Sequence, residues 1–272
     1  MKLSGNFGVS GILAKEDERY QVIDNNTLNN LVLSSTNLNP GHSTSGHKHK
    51  GQEEVYIFVK GSGEMILTSP DNSEKKFSVT TGDIVLIDAG AEFRGYAADI
   101  TRSWPTNGIF TEPQRELYQI VLDSQIAAIN ECVPGNPYTA PHEAARKVLA
   151  EGLIKIGVIS QTLEEALDSK SGQLKDWYMH NTSHWIGLDV HDVGVYLPNG
   201  EPRMLQPGMC LTIEPGLYFG AWRPDVDCPE RYSNIGIRIE DDVLIGENGP
   251  IVLTERCPKT ITEIESIVGN AV

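Results

Sequence analysis

Up to about Thr81 the apolar positions come in short runs of strand length. Candidate strands are Arg19–Ile23, Asn30–Ser35, Glu53–Val59, Glu64–Thr68 and Phe77–Val79. Turn-forming clusters separate them: Asp24-Asn25-Asn26, Asn39-Pro40-Gly41, Lys60-Gly61-Ser62-Gly63 and Ser69-Pro70-Asp71-Asn72. Evenly spaced short strands with such turns predict a small β-barrel or sandwich.

From Gly82 the pattern changes to mixed α and β. Asp83-Ile84-Val85-Leu86-Ile87 is an apolar strand, and a polar turn with Gly95 leads to a second strand near Ile100. Thr111, with Gln114 three residues on and Pro113 in the first turn, starts a helix running to about Cys132. Leu117, Ile120, Val121 and Ala128 form its buried stripe. A second helix is expected from Thr139 to Ile156, stopped by Gly157, with Val148, Leu149, Leu153 and Ile156 inward. A short third helix is expected over Thr162–Ser169 and a C-terminal one over Pro258–Val268. Leu205–Met209 is a turn entering a strand that ends at Glu214, and Ala221–Ser233 is a polar loop.

The chain has 272 residues, 39% hydrophobic, with a net charge of -15. That acidity argues against nucleic acid and against an anionic membrane surface as partners. No apolar run reaches membrane-spanning length, and the first residues lack a secretory core and cleavage site. Cys132, Cys210, Cys228 and Cys257 are scattered without a CxxC pair, which fits free thiols in a reducing cytosol. A cytoplasmic location is therefore expected.

The chemistry gathers around Gly82–Arg102, where Asp88 ends one strand and Asp99 precedes the next. Two such acids can point into one pocket, and a cation between them would relieve their repulsion. An ordinary hairpin with two solvated acids is the competing reading. Downstream, Ser183–Asp192, Leu211–Gly216 and Gly236–Asp241 bring a histidine and two glutamates in or beside apolar runs. One nitrogen and four carboxylates make a first shell for two divalent ions. Strand alternation puts Arg238 and Glu240 on one face. His180 and His184 are four apart, but the Trp-Ile-Gly-Leu continuation favours extended structure over a chelating helix.

In motif order from Gly82 to the C-terminus, the chain resembles the catalytic part of aminopeptidase P and prolidase, in the pita-bread metallopeptidase family. The resemblance implies metal ligands at Asp88, Asp99, His184, Glu214 and Glu240. It implies two divalent ions; the oxygen-rich set favours Mn²⁺, with Co²⁺ or Zn²⁺ as alternatives. It also implies a substrate peptide with proline at its second position. Glu214 is expected to take a proton while touching metal, and His191 to stabilise the intermediate or protonate the leaving nitrogen. His180 would line the pocket, as a catalytic or substrate-binding group or as a structural one. Arg238 would brace the carboxylates, or form a surface ion pair. The segment Ser183–Asp192 looks most like aminopeptidase P rather than methionine aminopeptidase or creatinase.

A second resemblance lies upstream. His47 and His49 alternate on one strand face and can chelate an ion, with Glu54 (or Glu53) as a third ligand. This resembles the first cupin motif. The second cupin motif is incomplete: after Gly82-Asp83 the strand ends on Asp88, and no histidine follows before His142. The expected class is α+β, a partial cupin-like β-barrel over 1–82 and a partial pita-bread catalytic domain over 83–272. The latter would lack the family's usual first segment. The alternative function is a cupin-type sugar or small-molecule binding protein with an inactive peptidase tail. A homo-oligomer is compatible with either reading.

Overall fold

Gln114 carries out two tasks at the start of the longest helix. Its side-chain oxygen accepts the Thr111 N–H at 2.9 Å, and its amide nitrogen donates to the Gly82 carbonyl at 2.7 Å. The capping pattern read from the sequence thus starts the helix and ties it to the strand that carries the first acid. The computed structural model describes residues 12–25, 33–39, 41–44, 61–68, 74–220 and 226–268.

The chain divides into two compact units. The first holds residues 1–81 with 106–109 and 265–272. Its described strands are β1 (Ile12–Glu16), β2 (Tyr20–Asn25), β3 (Leu33–Leu38), β4 (Ser62–Thr68) and β5 (Glu74–Thr80). They form two separate antiparallel ladders, a β1–β2–β3 meander and a β4–β5 hairpin. β2, β4 and β5 lie where the apolar runs predict them, β3 is shifted three residues on, and β1 was not anticipated. The apolar residues of Ile12–Glu16 are consecutive and show no strand alternation. The expected Glu53–Val59 strand and the His47, His49, Glu53 and Glu54 motif lie outside the described residues.

The second unit spans 82–105 and 110–264. β6 (Ile84–Ala89) pairs antiparallel with β9 (Ile100–Pro105), which sets Asp88 opposite Thr101. Between them β7 (Glu92–Phe93) and β8 (Tyr96–Ala97) make a small ladder around Gly95, whose φ of 87° suits glycine. α1 (Glu112–Asn130) and α2 (Ala140–Lys155) follow, then the single-turn α3 (Leu163–Ala166), shorter than expected. Leu117, Val121 and Ala128 on α1 and Leu149 and Leu153 on α2 are fully buried. Gly152 permits the close helix contact, since a Cβ there would sit 2.6 Å from Ile120 Cγ2.

β10 (Cys210–Ile213), β13 (Asp241–Gly246) and β14 (Gly249–Val252) form an antiparallel sheet, and β11 (Gly216–Phe219) pairs with β12 (Ile235–Arg238). Ala128 and Ile129 of α1, Ala145 of α2, Leu211 and Ile213 of β10, and Val243 and Ile245 of β13 form one core. β12 runs beside β9. The Ser103 hydroxyl donates to the Arg238 carbonyl at 2.9 Å and accepts its N–H at 3.1 Å. α4 (Ile261–Val268) ends the described chain, and the Thr260 hydroxyl caps it by accepting the Glu263 N–H at 3.2 Å.

Candidate metal centre

Each of the four acids that the resemblance implies as ligands sits at a strand end or directly beside one. Asp88 is the penultimate residue of β6, Asp99 immediately precedes β9, Glu214 follows β10, and Glu240 lies two residues beyond β12. The segment around His184 is extended, as its sequence predicts. It runs beside β10 through Glu214 N–H to Thr182 O at 2.8 Å and Thr212 N–H to His184 O at 3.0 Å. Gly90 lets the β6–β9 connection close, because a Cβ there would lie 1.5 Å from the Ala98 carbonyl oxygen.

The side chains converge. His184 Nε2 lies 3.5 Å from Asp99 Oδ2 and 3.6 Å from Glu214 Oε1. Donor atoms of Asp99, His184 and Glu240 all fall within 4.8 Å of one another. Asp88 shares a hydrogen bond with Asp99. The cluster therefore unites the five residues that the resemblance implies.

The electrostatics follow from this packing. Burial, with the charge of Glu214 beside it, pushes Glu240 from 4.5 up to about 8. Burial raises Glu214, and burial and the Asp99 hydrogen bond raise Asp88. Burial pulls against ionisation of Asp99 too, but its hydrogen bond with His184 outweighs that and holds it low. Packed carboxylates of this kind hold protons unless a cation replaces them. The histidine is set for the same purpose. His184 Nδ1 lies 3.0 Å from the Trp185 carbonyl, which can only accept, so Nδ1 carries the proton. Nε2 then faces the carboxylates and, in the metal-free chain, carries the proton shared with Asp99. An incoming ion would displace that proton and take the lone pair, the orientation a metal-binding imidazole requires. The donor set fits divalent ions.

A ring of polar groups holds the cluster in place. The Thr101 hydroxyl donates to Glu240 Oε2 at 2.6 Å and accepts from Arg238 Nε at 3.1 Å. Arg238 also reaches Asp88 and the Tyr218 hydroxyl, so it contacts the site rather than forming a surface pair. Thr212 accepts the His184 N–H at 3.1 Å and donates to Glu214 at 3.3 Å. Asp242 accepts the Asp99 N–H at 3.1 Å. Thr101, Thr212, Tyr218 and Asp242 were not singled out from the sequence. Only Thr212 had a usable signal, two residues before Glu214 on the same strand face.

The two remaining histidines differ. The His191 ring is exposed and meets the His184 ring edge-on, centroids 4.4 Å apart. His180 Nδ1 donates to the Asn181 carbonyl at 2.7 Å, leaving Nε2 to accept from the Tyr218 hydroxyl at 2.7 Å. Burial lowers its pKa, so the ring is neutral, and Nδ1 stands 4.0 Å from Glu214 Oε2.

Behind the cluster lies a buried ion network. Asp241 accepts from Arg102 and from Lys259, each at 2.7 Å, from Gln125 at 2.6 Å and from Thr254 at 2.6 Å. Burial alone would raise its pKa, but the two cations hold it low. Arg102 also donates to the Glu240 carbonyl at 2.5 Å, fixing the backbone of a candidate ligand. The four cysteines are free thiols, none of them in this cluster.

Metallopeptidase family M24 matches residues 41–247. The chain belongs to this family. It is 42% identical to the Xaa-Pro aminopeptidase of Escherichia coli (strain K12) over 224 residues, 82% of this chain and 49% of that protein. It resembles the structure of Pseudomonas aeruginosa aminopeptidase PepP with a TM-score of 0.67 at 39% identity, over 77% of this chain and 48% of that one. A variant of Escherichia coli aminopeptidase P in complex with substrate gives 0.66 at 41% identity, over 79% and 48%. The chain thus spans about half the length of the curated relatives it matches. Its second unit has the mixed α and β fold of these M24 peptidases. The family match begins at Gly41 and takes in the stretch compared above with a cupin. Among the described residues, no helix is long and apolar enough to cross a membrane.

Proposed function

We propose that this M24 chain is a dimetal-dependent aminopeptidase that hydrolyses the bond between an N-terminal residue and proline. The observation that carries this is the convergence of His184 Nε2, turned away from the Trp185 carbonyl, on Asp99 and Glu214 at 3.5 and 3.6 Å. The proline preference follows the printed activity of the Escherichia coli relative. Asp88, Asp99, His184, Glu214 and Glu240 would hold the ions, with Mn²⁺ favoured by four carboxylates against one imidazole and Co²⁺ or Zn²⁺ as alternatives. When bound, the ions would polarise the scissile carbonyl and make a hydroxide nucleophile available near neutral pH.

The remaining work falls to the chain itself. Glu214, made more basic by burial, takes the proton of the attacking water. His191, exposed beside His184, hands a proton to the leaving imino nitrogen or stabilises the intermediate. Neutral His180, held by Tyr218 and Asn181, offers a fixed surface to the substrate. Arg238 opposes the upward push on Asp88 and orients its carboxylate.

In this reading the chain works in the cytoplasm, and residues 1–82 form a separate cupin-like part, resting on the His47-Lys48-His49 motif. A His47→Ala, His49→Ala double variant with unchanged metal content would remove any metal role for that motif.

The deciding experiment is hydrolysis of an Xaa-Pro peptide by Mn²⁺-supplemented protein beside Glu214→Ala, with bound metal counted. Turnover lost in the variant, with two ions per wild-type chain, is expected. A well-folded wild-type chain that binds no metal and cleaves nothing would overturn the reading.

A further inference from the structure

His180 has a second side. Beyond it opens a cavity of about 360 Å³, lined among others by His142, Arg146, Asp168, Lys175, Tyr178 and His180. A volume of that order accommodates one or two amino-acid residues. His180 links this enclosure to the metal cluster, because it stands 4.0 Å from Glu214 and also lines the cavity.

The lining has a definite electrical character. Arg146 and Lys175 carry two positive charges, and Asp168 carries one negative charge. Asp168 is occupied locally, its Oδ1 accepting from the Lys170 N–H at 2.9 Å, the Ser171 N–H at 2.8 Å and the Ser171 hydroxyl at 2.8 Å. A net positive enclosure stands out on a chain of net charge -15. Arg146 is anchored by one Nη2 bond to the Leu167 carbonyl at 2.6 Å, which leaves the rest of its guanidinium fork to donate. His142 adds a further donor. The Thr182 N–H, 3.3 Å away, can only donate to Nδ1, so the His142 proton sits on Nε2. Tyr178 is fixed by its hydroxyl contact with Thr182 at 2.5 Å, so this wall is rigid.

Resting on the aminopeptidase reading, we propose that this cavity is a subsite for a carboxylate of the peptide beyond the scissile bond. The chain would prefer substrates whose free C-terminus, or an acidic side chain, reaches Arg146 and Lys175 past His180. The recognising chemistry is the same for both sources: guanidinium and ammonium donors in a partly enclosed site.

The test uses peptides that begin with proline and carry no Xaa-Pro bond, so that binding is read without turnover. Calorimetry would compare Pro-Ala-Ala as free acid and as C-terminal amide, and Pro-Ala-Glu amide, on the wild-type chain, Arg146→Gln and Lys175→Gln. One charge-assisted contact corresponds to about tenfold or more in affinity. The free acid or the Glu-containing amide is expected to bind about tenfold tighter than the plain amide, with the preference shrinking in salt and in both variants. Which of the two binds tighter identifies the source of the carboxylate. Lys175 is exposed, so its variant guards against misfolding of the buried-edge Arg146 change. Equal binding of acid and amide, no binding of any of them, or a preference unaltered in both variants would overturn the subsite. Peptide hydrolysis tests the other reading separately: turnover with no acid preference leaves the peptidase and removes the subsite. Acid preference without turnover does the reverse.

Discussion

Thr101 and Glu240, 139 positions apart in the chain, meet through a 2.6 Å hydrogen bond from hydroxyl to carboxylate. The same hydroxyl accepts from Arg238, so one small side chain orients both a candidate ligand and the cation that serves Asp88. Thr101→Val keeps the shape and removes both bonds. Metal affinity is expected to fall about 10–100-fold, as for other partners that orient ligands. Calorimetric Mn²⁺ titration of the variant checks this, and unchanged affinity would deny Thr101 its positioning role.

The metal-free chain should lose stability as pH rises. Glu240 is raised by burial and Glu214 to about 8; His184, despite burial, is raised by its Asp99 hydrogen bond to about 9. Both hold protons more tightly folded than unfolded. Their contribution is therefore complete below the ordinary carboxylate and imidazole values and is lost through about 8 and about 9. Chelator-treated protein should melt at a lower temperature near pH ~9 than near pH ~6. Mn²⁺ should reverse the trend, because ions and protons compete for the same atoms.

Gly152→Ala should destabilise despite the better helix propensity of alanine. The new Cβ would stand 2.6 Å from Ile120 Cγ2, and a β-branched side chain in a helix has little room to turn away. A loss of about 1–3 kcal/mol is expected in urea denaturation. Adding Ile120→Ala should recover part of it, and strictly additive losses would rule out the contact as the cause.

Asp241→Asn should cost more. It leaves the buried Arg102 and the partly buried Lys259 without their shared anion. Breaking a buried pair from one side costs about 3–5 kcal/mol. Denaturation midpoints of Asp241→Asn and of the triple variant Arg102→Met, Asp241→Leu, Lys259→Met separate the two cases, since removing all three charges should cost less than removing the anion alone.

The candidate ligands were legible in the sequence because acids and a histidine stand out in or beside apolar runs. Asp88, Asp99, Glu214 and Glu240 stand at or beside strand ends and His184 in an extended segment, and the structure brings all five together. The start of α1 was legible for a local reason, the Gln114 side chain returning to Thr111. The supporting residues were not legible. Thr101 and Tyr218 are ordinary strand residues until the fold delivers partners from distant segments. The Arg102–Asp241–Lys259 network is equally silent in sequence, since adjacent acids such as Glu240, Asp241 and Asp242 look alike there. Strand alternation turns Asp241 to the two cations and Asp242 to Asp99. β1 escaped notice because Ile12–Glu16 has no period to detect.

The four acids and the histidine come from segments far apart in the sequence, the acids at strand ends. A pair of ions there would act as a clasp joining separate segments, so loading and folding become one equilibrium. The lifetime of the folded catalytic unit, and its resistance to proteases, would then rise and fall with the free metal around it.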